Sequence, residues 1–535
     1  MDEEEIPGTW RLVDHGDIIL SPTPTKSPND PLNWSWPRKY WHAILVCFLA
    51  GLTAATSNDA GSASTGQNEE LGISYGSENT GAGILFVTIG VATYVLSPSS
   101  WLYGRRITYL ICLVSGLVGA IWFAKVENAS DSIWNQLFVG ASEACAEANV
   151  QLSLTDLFYE HQLGRVIGFY VAATSIGTYL GPLIASYVAD SPLGWRWIGW
   201  LAVIIGAATI VICYFTLEET VFERPPEDAT PIIHCTNKTE EDPELARKEA
   251  DGTAVGPMNS NSNTGSDIAP DVTELEDKPK SYWQRIAIIT PASNLKGTGF
   301  KQYVSRLYHT LRLFTFPAIL FSGIQWGAQD AWLSFYLTLE EDNWIEGPWY
   351  YGDAAVGIME VPCIIGAVIG CFYGGYLSDI FVLWAARRNG GMREAEQRLW
   401  FLIPCAFIST AGMLLFGLGT GHGWSWPVPY VGLAFIGFGW GCVGDLSMTY
   451  AAECYSSCVL EGMACISFIN NIIACIFTFC AEPWLDHGVN STFIALGVLD
   501  FAIIMLTLPM IYWGKSCRKW TNQRYITFLE MRDSI

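Results

Sequence analysis

Twelve apolar runs, each of about 20 residues, dominate the chain and arrive in two series of six. They lie near 41–59, 81–100, 107–125, 132–152, 166–189 and 196–217, and then near 314–338, 354–378, 399–419, 428–450, 463–483 and 492–514. A helix of that length covers the roughly 30 Å hydrocarbon core of a bilayer. Lipid offers the backbone no hydrogen-bond partner, so runs this long must satisfy their amides internally, as helices. The expected fold class is therefore an all-α polytopic membrane protein, with twelve transmembrane helices in two six-helix bundles. Half of the 535 residues are hydrophobic and 15% are charged, a balance that suits a membrane protein and not a soluble domain of this size.

These runs divide the chain into a tail at 1–40, an N-terminal bundle at 41–217, a central loop at 218–313, a C-terminal bundle at 314–514 and a tail at 515–535. Arg38-Lys39, Arg105-Arg106, Arg165, the bases between Arg285 and Arg312, Arg387 to Arg398, and Lys515 to Lys519 all fall on one side of the spans. The loops on the other side are acidic or neutral, as at Glu69-Glu70, Asp190 and Asp486. Positive charge stays inside, so both termini are expected in the cytosol. One loop runs against the pattern, with Glu453 and Glu461 and no base. The first forty residues are polar and proline-rich, so the first span is expected to act as its own signal anchor. The expected location is the cell membrane, with the vacuolar membrane as the alternative.

Much of the net charge of −23 sits in Asp2–Glu5 and between Glu218 and Asp277. Acidic tracts of this kind are solvated tails rather than nucleic-acid surfaces. The low-complexity stretch Asn259–Ser266 reads as disordered. Farther on, Tyr303, Val304, Leu307, Leu311 and Phe314 recur at helical spacing beside Lys301, Arg306 and Arg312. That pattern predicts an amphipathic helix on the inner membrane surface. Glycosylation sequons at Asn128 and Asn490 fall in outer loops, whereas those at Asn33 and Asn237 fall on the cytosolic side. The 15 cysteines lie mostly inside apolar runs without metal-ligand spacing. With no phosphate loop and no nucleophile–base–acid set either, the chain reads as neither an ATP-driven pump nor an enzyme, and as needing no cofactor or metal.

The fourth run carries a polar stripe: Gln136, Gly140, Glu143, Glu147 and Gln151. At about 100° per residue these positions share roughly one quarter of a helix circumference. Carboxylates are expensive against lipid, so that face is expected to line a cavity. A carboxyl group in such a cavity can load a proton from one side and release it to the other as access alternates. The same pair could instead bind a cationic substrate or bond across helices, and the residues leave these readings open. Asp59 in span one, Gln325 and Asp330 in span seven, Asp445 in span ten and Asn470 in span eleven are the other intramembrane polar candidates for a substrate or proton path.

Several local motifs accompany the stripe. Gly104-Arg105-Arg106 lies between spans two and three, and Gly375…Asp379 with Arg387-Arg388 lies at the equivalent point of the second half. Span five carries Gly177, Gly181 and Pro182, a pattern for close packing and a bend. Asp30-Pro-Leu-Asn-Trp34, the Asp156–His161 turn, Gly194-Trp195-Arg196-Trp197 and Glu219–Arg224 complete the series. In this order the motifs resemble those of the major facilitator superfamily, in particular its fungal drug:proton antiporter-like branch, and the resemblance covers essentially the whole chain. It extends to fungal carriers of polyamines and organic cations. Two departures stand out: Ser97 and Trp101 occupy the usual glycine and acid positions of the loop motif, and Asn135-Gln136 stands where span four often carries an arginine.

The resemblance implies two pseudo-symmetric six-helix bundles with spans one, four, seven and ten around a central cavity. It assigns a gating role to Gly104, Arg105, Arg106, Gly375 and Asp379, and an antiporter-like role to Gly177, Gly181 and Pro182. The function implied first is proton-coupled efflux of a drug or secondary metabolite. Proton-coupled uptake of organic cations such as polyamines is the alternative, and a non-transporting nutrient receptor is the alternative of another class. The expected partners are a small organic substrate, cationic or otherwise, together with protons and the lipid bilayer, with no nucleic acid and a monomeric state.

Overall fold

The computed structural model describes residues 6–14, 17–19, 21–223, 234–235, 278–345 and 349–534. The low-complexity stretch Asn259–Ser266 and the sequon at Asn237 lie outside these residues. Among the described residues, ten helices are long and apolar enough to cross a membrane. Spans four and seven fall outside that group yet are helical. Span four runs as Ala129–Ala144, a π-helical turn at Cys145–Val150 and Gln151–Leu157, and span seven as Pro317–Leu339. These two carry Glu143, Glu147, Gln325, Gln329 and Asp330, the polar groups that depress their hydropathy.

Local chemistry sets the helix ends. The Asn128 side chain accepts from the Asp131 amide at 3.0 Å and so caps span four. Prolines stand at the starts of spans seven and ten, where a missing amide donor costs nothing. Gly104 has φ +102°, and a Cβ there would sit 2.5 Å from a Glu219 carboxylate oxygen. That carboxylate accepts from the amides of Arg105 and Arg106, both at 3.1 Å, and caps span three.

Span one packs on span five within the first half, while spans two and eleven and spans five and eight join the halves. Gly177 and Gly181 permit the first of these contacts. A Cβ on Gly177 would approach the Gly51 carbonyl carbon to 2.7 Å, and one on Gly181 the Ala55 Cα to 2.8 Å. The span-five motif is thus a backbone-to-backbone seam. Gly181→Val is expected to force spans one and five apart at a cost of about 1–3 kcal/mol, seen as a lower unfolding temperature and poorer monodispersity in detergent.

Both ends of the chain are built into one face of the molecule. Residues Thr9–Arg11 pair antiparallel with Met392–Glu394. The final helix, Thr507–Ser534, continues well beyond the expected end of span twelve. Residues 515–535, expected as a cytosolic tail, are helical to Ser534, and Arg518, Tyr525 and Phe528 recur on one helical side and are buried. Arg518 binds Glu396 through Nε at 2.8 Å and Nη2 at 2.5 Å and reaches Thr9 Oγ1 at 3.0 Å, which ties both ends to the loop before span nine.

The amphipathic helix forms at Phe300–Thr310. Gln302, Arg306 and Thr310 face the protein, whereas Phe300, Val304 and Tyr308 are exposed. The sequons differ in their surroundings. Asn128 is exposed, but the Asn490 Oδ1 is enclosed and the Thr492 hydroxyl of its sequon is buried, donating to Trp484 O at 2.7 Å. Asn128→Gln is therefore expected to abolish an endoglycosidase-sensitive mass shift that Asn490→Gln leaves intact.

A carboxylate-lined cavity between the two halves

A cavity of about 210 Å³ lies between the halves toward the face opposite the termini. It shares Ser57, Asn58, Leu85, Phe86 and Leu333 with a narrower chamber of about 40 Å³. Glu143, Glu147 and Asp330 converge on that chamber, with Tyr170, Trp326 and Trp440 as its aromatic walls. Glu147 lies within electrostatic reach of both Glu143 and Asp330, and Ser57 and Ser467 stand beside Glu143 and Glu147. The Trp440 indole donates to Asp330 Oδ1 at 3.0 Å, and its ring lies 4.4 Å from that of Trp326.

Span four reaches the chamber with Glu143, at the end of Ala129–Ala144, and with Glu147, in its π-helical turn. Such turns widen the helix and re-aim side chains, and they recur at functional sites. The polar stripe thus follows the whole route. Gln136 lines the larger cavity, and Gly140 lets span two approach, since a Cβ there would come within 2.7 Å of Leu85 O. Glu143 and Glu147 line the chamber. Gln151 closes its far side against Met448 of the second half, with Nε2 3.4 Å from the sulfur.

The other sequence-predicted polar residues separate from this group. Asp59 closes span one and lines neither cavity, whereas its neighbour Asn58 lines both. Gln325 is turned toward span twelve, where its Nε2 donates to Ile503 O at 2.6 Å. Asp445 is fully buried behind the crossing of spans five and eight. It accepts from Thr449 at 3.2 Å, and Cβ atoms on Gly168, Gly374 and Gly375 would lie 2.9–3.1 Å from its Oδ2. Asp59, Gln325 and Asp445 all occupy spans expected around the cavity, but a helix has a full circumference and these residues line neither space. Asn470 does stay with the site, its side chain beside the Asp330 carboxylate.

On the terminal side the halves are closed by a buried ionic clasp. Arg398, 1% exposed, donates to Asp379 Oδ1 at 2.7 Å, to Glu453 Oε1 at 2.7 Å and to Ser378 Oγ at 2.5 Å. Glu453 also pairs with Arg393. Across the interface, the Arg165 amide of span five donates to Asp379 Oδ2 at 2.9 Å, and Arg393 donates to Glu160 O at 3.4 Å. A Cβ on Gly375 would stand 2.8 Å from Gly164 O, so this glycine lets the halves meet. Glu453, which looked baseless in its own loop, takes its bases from the loop between spans eight and nine.

The first-half motif works differently. Arg105 Nε lies 3.2 Å from Asp156 Oδ2 and Arg106 binds Tyr214 O, so both arginines brace the first half internally. At the departed acid position, the Trp101 ring lies between Arg105 and Arg532 of the final helix, at 4.8 and 5.2 Å. A cation–π contact therefore links the halves there.

Sequence reasoning missed Trp440, Tyr170, the Arg398–Glu453 pair and Asp500. Asp500 is fully buried in span twelve and accepts from Trp332 Nε1 at 2.9 Å and Gln329 Nε2 at 3.0 Å. Trp332 is thereby held in the second bundle. The glycine-dense Gly437–Gly444 stretch around Trp440 was a usable signal, since it marks close helix contact on one side and leaves the ring free to face the other.

The comparisons with known proteins agree with this architecture. The model of the Major Facilitator Superfamily matches residues 43–478. An uncharacterized MFS-type transporter of Schizosaccharomyces pombe is 49% identical, over 99% of this chain and 96% of its own. Protein HOL1 of Saccharomyces cerevisiae is 48% identical, over 97% of this chain and 93% of its own. Among solved structures, the proton:xylose symporter XylE bound to 6-bromo-6-deoxy-D-glucose aligns with a TM-score of 0.57 at 12% identity, covering 90% of this chain and 96% of that one. At that identity the likeness is one of fold. Two membrane bundles around a central cavity, the match along most of the chain and the high identity to a transporter make the protein a carrier of small molecules and not an enzyme: it belongs to the Major Facilitator Superfamily.

Proposed function

We propose that the protein carries a small organic cation across the membrane, coupled to protons, by alternating access to the Glu143–Glu147–Asp330 chamber. The convergence of three carboxylates on one chamber supports this reading best. No Lys, Arg or His lines the chamber among the described residues. Buried carboxylates are costly unless matched by a cation or neutralised by a proton. A substrate cation and protons can therefore replace one another there as the site opens to each side. Trp326, Trp440 and Tyr170 offer the π faces that favour an organic ammonium over a small hydrated ion.

The conformation described holds the chamber beneath the outer vestibule and closes it on the terminal side, which the basic loops mark as cytosolic. In this reading Gly375 and Asp379 form the gate: opening toward the cytosol breaks the Asp379–Arg165 and Arg393–Glu160 bonds across the halves. Gly104, Arg105 and Arg106 keep the first half rigid while the bundles rock. Export of a drug or secondary metabolite is the second reading, supported by the antiporter-like motif order. Gly177, Gly181 and Pro182 form a packing seam and give that direction no separate support.

The test is transport of labelled spermidine and tetraphenylphosphonium in proteoliposomes and in cells expressing the protein. Acid-stimulated accumulation in cells identifies uptake, and lowered accumulation identifies export. Binding without flux would point to the receptor, and no interaction with either cation would sink the proposal.

A further inference from the structure

The outer cavity contains a second pair of carboxylates, away from the chamber. Glu340 follows span seven and Glu360 opens the helix Glu360–Cys371 within span eight. They are 4% and 2% exposed, line the same 210 Å³ space, and feel each other's charge. Glu340 Oε1 and Glu360 Oε2 are enclosed without a hydrogen bond of good geometry, and among the described residues the only polar side chain set against the pair is the Tyr336 hydroxyl, beside Glu360. Among the described residues no Lys, Arg or His lines this cavity, and Glu78 adds a third carboxylate to its wall.

Other acids of this face are used differently. Glu70 pairs with Arg196 in solvent, and Glu482 at the rim is exposed and lies 3.4 Å from the Asn79 amide nitrogen. Glu340 and Glu360 are instead withdrawn from water with open acceptor positions and no base beside them. Such a pair is stabilised by a cation that brings its own donors. The cavity wall also supplies apolar contact through Leu333, Leu337 and Ile345, which suits a cation with an organic body.

We propose that Glu340 and Glu360 form a binding site for an organic ammonium group within the vestibule, a station on the way to the chamber. The shared wall residues Asn58, Leu85 and Leu333 make the two sites consecutive on one route. The station rests on the proposed cation carriage. Its own signature is separate: it holds the cation without being required for proton exchange at Glu143, Glu147 and Asp330.

Labelled spermidine binding to the detergent-purified full chain separates the two claims. A chamber variant, Glu143→Gln/Glu147→Gln/Asp330→Asn, is expected to retain weaker, saturable binding, which adding Glu340→Gln/Glu360→Gln abolishes. Glu340→Gln/Glu360→Gln alone is expected to raise KM for spermidine flux about tenfold with the maximal rate kept. Because the multiple variant can misfold, Thr338→Cys in the vestibule supplies a second measurement. A cationic methanethiosulfonate should outpace an anionic one there, and Glu340→Gln/Glu360→Gln should reduce the preference severalfold, with Glu78 left as the remaining carboxylate of the wall. Unchanged KM and unchanged reagent preference would overturn the outer site while leaving cation carriage standing. Vestibule binding without flux in the wild type would remove the carrier reading and keep the site. No spermidine binding and no reagent preference would overturn both.

Discussion

Glu147→Gln is expected to reduce organic-cation flux at least thirtyfold, with the folded protein still recovered in normal yield. The side chain lies in the π-helical turn of span four, inside the chamber and within electrostatic reach of Glu143 and Asp330. Gln keeps its shape and removes only its charge and its capacity to exchange a proton. Losing one partner of a desolvated charge pair costs about 2–5 kcal/mol, and roughly 1.4 kcal/mol is a factor of ten. Asp330→Asn should lose a comparable amount while the Asn oxygen can still accept from the Trp440 indole. Initial rates in proteoliposomes measure both effects. A rate within twofold of wild type for both variants would remove the chamber from the mechanism.

Arg398→Ala carries the largest expected effect on stability. Its guanidinium serves Asp379, Glu453 and Ser378 at once and is 1% exposed. Removing it leaves Asp379 buried with no comparable base, because Arg165 approaches with its amide at 2.9 Å while its Nε stays 3.7 Å away. Breaking a buried ion pair from one side costs about 3–5 kcal/mol. Arg398→Lys should restore little, since one ammonium cannot reproduce a planar fork that serves three acceptors. The expected results are a marked fall in unfolding temperature and greater cysteine accessibility on the terminal side. An unchanged unfolding temperature together with unchanged accessibility would show that the clasp does not hold the closed face.

The sequence displayed the scaffold far better than the site, for a physical reason. Spans such as Tyr75–Leu102 and Arg196–Thr216 announce themselves because lipid demands long apolar helices, and each helix is a local event. The stripe from Gln136 to Gln151 was legible for the same reason, as one face of one helix. Contacts between distant segments were not. Glu453 and Arg398 are 55 residues apart and meet only when two loops are brought together on the terminal face. Asp59, Gln325 and Asp445 show the reverse case: polarity inside a span is visible in the sequence, but the direction of the side chain is set by tertiary packing. Glu340 and Glu360 face one vestibule only after the turn between spans seven and eight is folded. The final helix was hidden because its buried Arg518 looks, in sequence, like one more base of a cytosolic tail.

In the proposed cycle the three-carboxylate chamber exchanges protons for an organic cation. Simultaneous recording of spermidine flux and lumenal pH in proteoliposomes, with wild type beside Glu147→Gln, measures this. The prediction is a spermidine-dependent proton flux in wild type, with a fixed ratio between the two and both lost together in Glu147→Gln. Spermidine flux that persists in Glu147→Gln, or that moves no protons in wild type, would contradict it.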